Sequence, residues 1–322
     1  MESSAEWVIH TEGLSKSYKN VHALKSLDLN VPKNSIFGFL GPNGAGKTTT
    51  IKLLLGLARP TAGGGTVLGK DILQDNVEVR RRIGYLAQNP SYYKHMTARQ
   101  TLEFRARFIY SGPKDLIDSR VEETLELVGL AQKADRPIKG FSGGEIQRLG
   151  IGQAQINYPE LLILDEPAAN LDPGGRHDVL EVMERLRKHT TIFYSTHILD
   201  DVQQVSDTVA ILNDGELVAQ APLDDLLASS GGSLYSLVLD NTSIAAQNRI
   251  ASQPWVSDLS VTEKDGHFTW QVAVTENEAA TSELLRLVLS DRSINVLEFG
   301  QKKLDLEEVF LNITEGVQDV QH

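Results

Sequence analysis

The chain has 322 residues, 41% of them hydrophobic and 23% charged, with a formal net charge of -12. That length favours two domains, each able to bury its own core, and ordinary globular composition excludes a largely disordered chain. The negative balance argues against nucleic acid as a partner, because phosphate backbones are bound by Lys and Arg, while the lack of cysteine removes disulfides and thiolate metal sites.

In chain order, the small, acidic start (1–5) is unlike a secretory signal, and 7–12 with 27–31 reads as an antiparallel flank. From 36 to about 217, short strands rich in Val, Ile, Leu and Phe alternate with helices, the pattern of an α/β domain on a mostly buried sheet. The strands are expected at 36–40, 83–87, 161–164, 191–194 and 208–212, with Asn213-Asp214-Gly215 turning the chain into 216–219. Within this domain, 89–140 reads as a helical insert, with helices at 97–110 and 115–128 parted by Ser111-Gly112-Pro113. Its Phe104, Phe108 and Tyr110 are more aromatic surface than a small two-helix unit readily buries. No apolar run approaches the roughly 18 to 20 residues of a membrane-spanning helix.

After Leu227 the run Ala228-Ser229-Ser230-Gly231-Gly232 reads as a flexible linker. The division is therefore 1–228, a linker at 229–232, and a smaller α+β domain at 233–322. There the expected order is strand 234–239, helix 243–251, strand 256–262, a hairpin at Lys264-Asp265-Gly266, strand 267–274, helix 277–289 and strand 294–299. This βαββαβ order is the ferredoxin-like, split βαβ arrangement. A last helix at 304–314 carries Leu306, Val309, Phe310 and Ile313 as an apolar stripe. The second domain shows no glycine cradle, ligand cluster or paired acids, so catalysis is not expected to need it.

The chemistry is concentrated in the first domain. Gly41-Pro42-Asn43-Gly44-Ala45-Gly46-Lys47-Thr48 fits G-x-x-x-x-G-K-[ST] between an expected strand and an expected helix at 47–57, with Thr49 following. Its glycines let backbone N–H groups close round phosphate oxygens. Lys47 is placed to reach β and γ phosphates, and Thr48 to put its hydroxyl on Mg²⁺. The apolar strand at 161–164 ends in Asp165 and Glu166, assigned to Mg²⁺ and to the activation of a water as general base. Ser142-Gly143-Gly144-Glu145 has the S-x-x-E form of a capping box, and a helix N-terminus with free N–H groups also suits an anion.

The run Phe141 to Arg148 (FSGGEIQR) closely resembles the signature motif of ABC ATPases. The resemblance extends over 7–227 and implies a P-loop ATPase of the ABC type that uses ATP and Mg²⁺. It further implies that Tyr18 stacks on adenine, Gln88 senses Mg²⁺ and the attacking water, Asp172 in Ala169-Asn170-Leu171-Asp172-Pro173 acts across a dimer, and His197 contacts the γ-phosphate. In that family the phosphate loop of one subunit and the signature of another enclose one nucleotide. A head-to-tail pair is therefore expected, either with a second copy or with a related subunit. Phe141 and Glu145 stand where the family more often has Leu and Gln, Ala168 replaces a common Thr or Ser, and Gln100 replaces a common Glu; none removes a catalytic group.

The ending Leu-Asp-Leu-Glu-Glu-Val-Phe-Leu-Asn-Ile-Thr (304–314) and the run 195–227 resemble ATPases of bacterial drug, antibiotic, lipid or polysaccharide exporters. That resemblance implies a separate membrane-spanning permease as partner and a cytoplasmic place, peripheral on the inner face of the membrane. An amino-acid importer ATPase with a ligand-sensing C-terminal domain is the alternative. A soluble ABC protein of ribosomes or DNA is disfavoured by the single ATPase unit, and a non-hydrolysing scaffold by Lys47, Asp165, Glu166 and His197.

Overall fold

The structure is a computed structural model, and it describes residues 7–229, 233–264, 266–302, 306 and 310. It resolves into two compact units, residues 1–223 and 224–322, a division slightly earlier than the one expected from the linker. Most of that linker and of the expected terminal helix lies outside the described residues. Of the helix, Leu306 and Phe310 are helical, Leu306 being buried.

The first unit is built on a six-stranded sheet in the order Glu216–Pro222, Thr208–Asn213, Ile36–Leu40, Thr191–Thr196, Leu161–Asp165, Ile83–Leu86. Every pair is parallel except the terminal hairpin of Thr208–Asn213 with Glu216–Pro222. Every residue of Ile36–Leu40, Leu161–Asp165 and Thr191–Thr196 is buried, as strands covered on both faces require. Phe37 and Phe39 both pack on Phe193, with ring centroids 5.7 and 5.3 Å apart, and tie neighbouring strands together.

A second, antiparallel sheet runs Val21–Leu27, Trp7–Tyr18, Ala62–Val67, Lys70–Asp71, with Asn30–Pro32 also paired to Trp7–Tyr18. The strand Ala62–Val67 is absent from the expected elements because its glycines depress β-propensity. The fold needs them: Gly63 has φ +69°, and a Cβ there would lie 2.1 Å from the Gly13 carbonyl oxygen.

In the insert, Thr97 caps the helix Ala98–Ala106, and the Gln100 side chain returns to the Thr97 N–H at 3.0 Å to complete a capping box. The helix ends before the expected 110. Phe104 and Phe108 meet edge-to-face at 5.0 Å and remain exposed, whereas the Tyr110 hydroxyl donates to the Ile156 carbonyl at 2.8 Å. The second insert helix is Lys114–Leu127.

The second unit has one antiparallel sheet, ordered Val256–Lys264, His267–Val274, Ser233–Leu239, Val296–Lys302. With Ile244–Ala251 and Asn277–Leu289 as its helices, it has the βαββαβ order anticipated. Alternation along Leu234 to Leu239 and along Phe268 to Val274 sends Tyr235, Leu237, Leu239, Trp270, Val272 and Val274 into one core. The last strand starts later than expected because Asp291 accepts from both the N–H and the hydroxyl of Ser293, making a turn that runs into Ile294.

Trp270 is fully buried, and its indole N–H donates to Thr242 Oγ1 at 3.2 Å. Trp270→Ala is expected to destabilise the second unit by about 3–5 kcal/mol. Chemical denaturation followed by tryptophan-independent circular dichroism would check this, and a loss under about 1 kcal/mol would contradict the core assignment.

Candidate functional site

Gly41 to Thr48 links the central strand Ile36–Leu40 to the helix Lys47–Leu54. The loop closes tightly: Gly44 and Gly46 have φ of +87° and +110°, and a Cβ on Gly46 would stand 2.5 Å from the Ala23 carbonyl oxygen. Ala23 belongs to Val21–Leu27, so the antiparallel sheet forms one wall of the loop. The cleft encloses about 240 Å³ and is lined by Pro42, Asn43, Gly44, Lys47, Thr48 and Thr49 on the loop side and by Gln88 and Glu166 opposite.

Lys47 is buried, with Nζ donating to the Gly41 carbonyl at 2.6 Å and the Pro42 carbonyl at 3.2 Å and lying 3.1 Å from Glu166 Oε1. The other oxygen, Glu166 Oε2, is 2.7 Å from His197 Nδ1. Glu166 itself adopts φ +52°, a left-handed backbone uncommon outside glycine. Its N–H donates to the carbonyl and the hydroxyl of Ser195 at 3.1 and 3.0 Å, which holds the carboxylate towards Lys47 and His197. Asp165 accepts from Thr48 Oγ1 at 3.1 Å and from Ser195 Oγ at 2.7 Å.

The cleft suits an anhydride of phosphates: backbone and ammonium donors line one side, and a carboxylate that can accept a proton lies on the other. It also suits Mg²⁺, since Thr48, Asp165 and Gln88 offer hard oxygen donors with room for phosphate oxygens. No cluster of three or more His, Cys, Asp or Glu side chains suited to a metal exists among the described residues.

Comparison with known proteins agrees with this geometry. Residues 24–169 match the ABC transporter family. The chain is 42% identical to the bacitracin transport ATP-binding protein BcrA of Bacillus licheniformis over 68% of its own length and 71% of that protein's. It is 35% identical to the daunorubicin/doxorubicin resistance ATP-binding protein DrrA of Streptomyces peucetius, over 98% of its own length and 94% of that protein's. The chain belongs to the ABC transporter ATP-binding proteins. Among solved structures, cbiO1 of Clostridium perfringens, part of the cbiONQ transporter complex, superimposes with a TM-score of 0.65 and 28% identity, covering 69% of this chain and 91% of that one. As an ABC ATPase, the chain binds and hydrolyses ATP, with Mg²⁺ as the accompanying ion.

The other residues expected to meet a nucleotide do not line this cleft. Ser142 caps the helix Gly143–Gln155, accepting from the Glu145 N–H at 3.3 Å while Glu145 Oε2 accepts from the Ser142 N–H at 2.8 Å. Glu145 also pairs with Lys133 and, at 3.4 Å, with Arg136. Burial works against its charge, but the bonds from Lys133 and Ser142 and the charges of Lys133 and Arg136 hold the carboxyl below the usual glutamate range. The Glu145 side chain is thus turned inward and engaged by Lys133, Arg136 and the Ser142 N–H. Gly143 lines a separate cleft of about 390 Å³ with Gln88, Phe141, Ala169 and Leu171.

Asp172 stands at the N-cap of Pro173–Leu186 without a side-chain capping bond. Tyr18 ends its strand half-exposed and outside the phosphate cleft, and Lys16 Nζ lies 4.7 Å from its ring centroid. Ser195 escaped the sequence reading although it contacts both acids; its one signal is its place in the Ser195-Thr196-His197 run at the end of a core strand.

Removing the ammonium of Lys47 deletes a charge-assisted contact worth about 1.5–3 kcal/mol. Lys47→Ala is therefore expected to weaken ATP binding by about ten- to a hundredfold in titration calorimetry. An unchanged affinity would reject the cleft as the phosphate site.

Proposed function

We propose that this chain drives export of a small molecule through a separate membrane-spanning partner, working as one of two head-to-tail ATPase subunits. The observation that carries the reading is the split of the machinery. Lys47, Thr48, Asp165, Glu166 and His197 surround one cleft, while Ser142, Gly143 and Asp172 lie outside it, where a second subunit's nucleotide could meet them.

In this reading Lys47 binds the β and γ phosphates, and Thr48, Asp165 and Gln88 hold Mg²⁺, which neutralises phosphate charge when bound. Glu166 accepts a proton as a water oxygen bonds to the γ-phosphorus; the bond to the bridging oxygen breaks and its electrons leave with ADP. His197 orients Glu166 through Nδ1 and contacts the γ-phosphate with its remaining edge. Tyr18 offers a face to adenine. Support for export comes from the relatives named for bacitracin transport and for daunorubicin/doxorubicin resistance, the latter matched along nearly the whole chain. No helix among the described residues is long and apolar enough to cross a membrane, so attachment to the inner face would run through the permease.

Two tests bear on this reading. Glu166→Gln keeps the shape and loses the base, and is expected to retain ATP affinity while steady-state turnover falls by about 10²–10⁴; near-normal phosphate release would remove Glu166 from the mechanism. In this reading the permease is met by Phe104 and Phe108, a proposal supported by their exposure as an edge-to-face aromatic pair. Converting both to Asp is expected to leave ATP affinity within about twofold and to cut the fraction of chain retained on washed membranes at least about fivefold. Undiminished retention would locate the contact elsewhere.

A further inference from the structure

Two core strands that end at the phosphate cleft, Leu161–Asp165 and Thr191–Thr196, each lead to a helix, Pro173–Leu186 and Leu199–Val205 respectively. At the roots of these connections Glu166 and His197 are bonded to each other. Further out a second bond joins them: Arg176 Nε donates to Asp201 Oδ1, and Arg176 Nη2 lies 3.5 Å from Asp200. Asp201 is only 1% exposed, and burial pushes its carboxyl above the usual aspartate range even with Arg176 against it. Arg176 is partly exposed and Asp201 is buried, so breaking the pair strands the Asp201 carboxylate, and the pair fixes the relative position of the elements that carry it.

Arg176 has a second attachment. Its backbone N–H donates to the Asp172 carbonyl at 2.9 Å, in the first turn of Pro173–Leu186. The preceding Gly175 touches the signature helix, where a Cβ added to Gly144 would lie 2.8 Å from Gly175 Cα. Contacting groups therefore run without a gap from Ser142–Gly144, through Gly175 and Arg176, to Asp201 and on along the chain to His197 and Glu166.

We propose that Arg176 and Asp201 are positioning residues that couple the signature end of this chain, which serves the nucleotide of its partner subunit, to the Glu166–His197 pair that serves its own. The inference rests on the paired-subunit reading above. Occupation of the signature end shifts two helix starts together, those after Ser142 and Asp172, and the Arg176–Asp201 pair transmits the shift to the segment that carries His197. Neither residue touches substrate.

The test is steady-state hydrolysis by the purified full-length chain as a function of ATP concentration, with ADP affinity measured separately by calorimetry. Arg176→Ala and Asp201→Asn are each expected to lower kcat by about tenfold, leave KM and ADP affinity within about twofold, and bring a Hill coefficient above 1 down to about 1. The charge-exchanged double variant, Arg176→Asp with Asp201→Arg, is expected to regain cooperativity, which a general loss of packing would not. Should a single variant fail to fold, Arg176→Gln is expected to show the same fall in Hill coefficient. A cooperative wild type with variants that match it overturns the coupling alone. A wild type that hydrolyses ATP with a Hill coefficient of 1 overturns the coupling, and one that stays monomeric by light scattering at saturating ATP overturns the paired-subunit reading.

Discussion

Parallel pairing of the three central strands is the constraint on which the rest of this molecule depends. Ile36–Leu40, Thr191–Thr196 and Leu161–Asp165 are in register, Leu40 opposite Thr196 and Asp165 opposite Ser195, so their carboxyl ends emerge side by side. The three connections that follow, from Gly41, from Glu166 and from His197, must then begin within reach of one another. A shift of one residue would send every side chain to the opposite face and turn Asp165 away from the cleft edge. A short stretch of apolar residues thus places a lysine, two acids and a histidine that are far apart in the sequence.

What the sequence disclosed and what it withheld follow from the same geometry. The glycine cradle, the acid pair and the signature were legible because each carries its chemistry within a few consecutive residues. Ser195 was not, since its importance arises only from standing opposite Asp165 across a strand pair. The strand Ala62–Val67 was missed for a related reason: glycine is a poor strand former, and only the close approach of Gly13 explains its presence. The helix start capped by Ser142 was legible from its capping box, whereas the first insert helix stops short because the chain turns after Ala106 so that Tyr110 reaches Ile156.

The departures from the usual family pattern acquire physical readings. Gln100 completes the same capping bond that a glutamate would make at Thr97. Glu145 and Phe141 act together on Arg136, which bonds to the carboxylate while its guanidinium lies 5.3 Å from the phenylalanine ring centroid. The signature helix of this chain therefore begins in a closed arrangement of charges and an aromatic ring, with its acidic residue neutralised locally.

Gly144 and Gly175 meet with no side chain between them, and this sets the mechanical character of the contact. Packed side chains act as soft bearings, because rotamer changes can absorb a displacement before it travels further. Two bare backbones have no such compliance: their repulsion rises steeply over a few tenths of an ångström, so a push on one helix start reaches the other almost undiminished. The cost is intolerance, for a methyl group on Gly144 would stand 2.8 Å from Gly175 Cα and force the two starts apart. At this point the chain exchanges adaptability for stiffness.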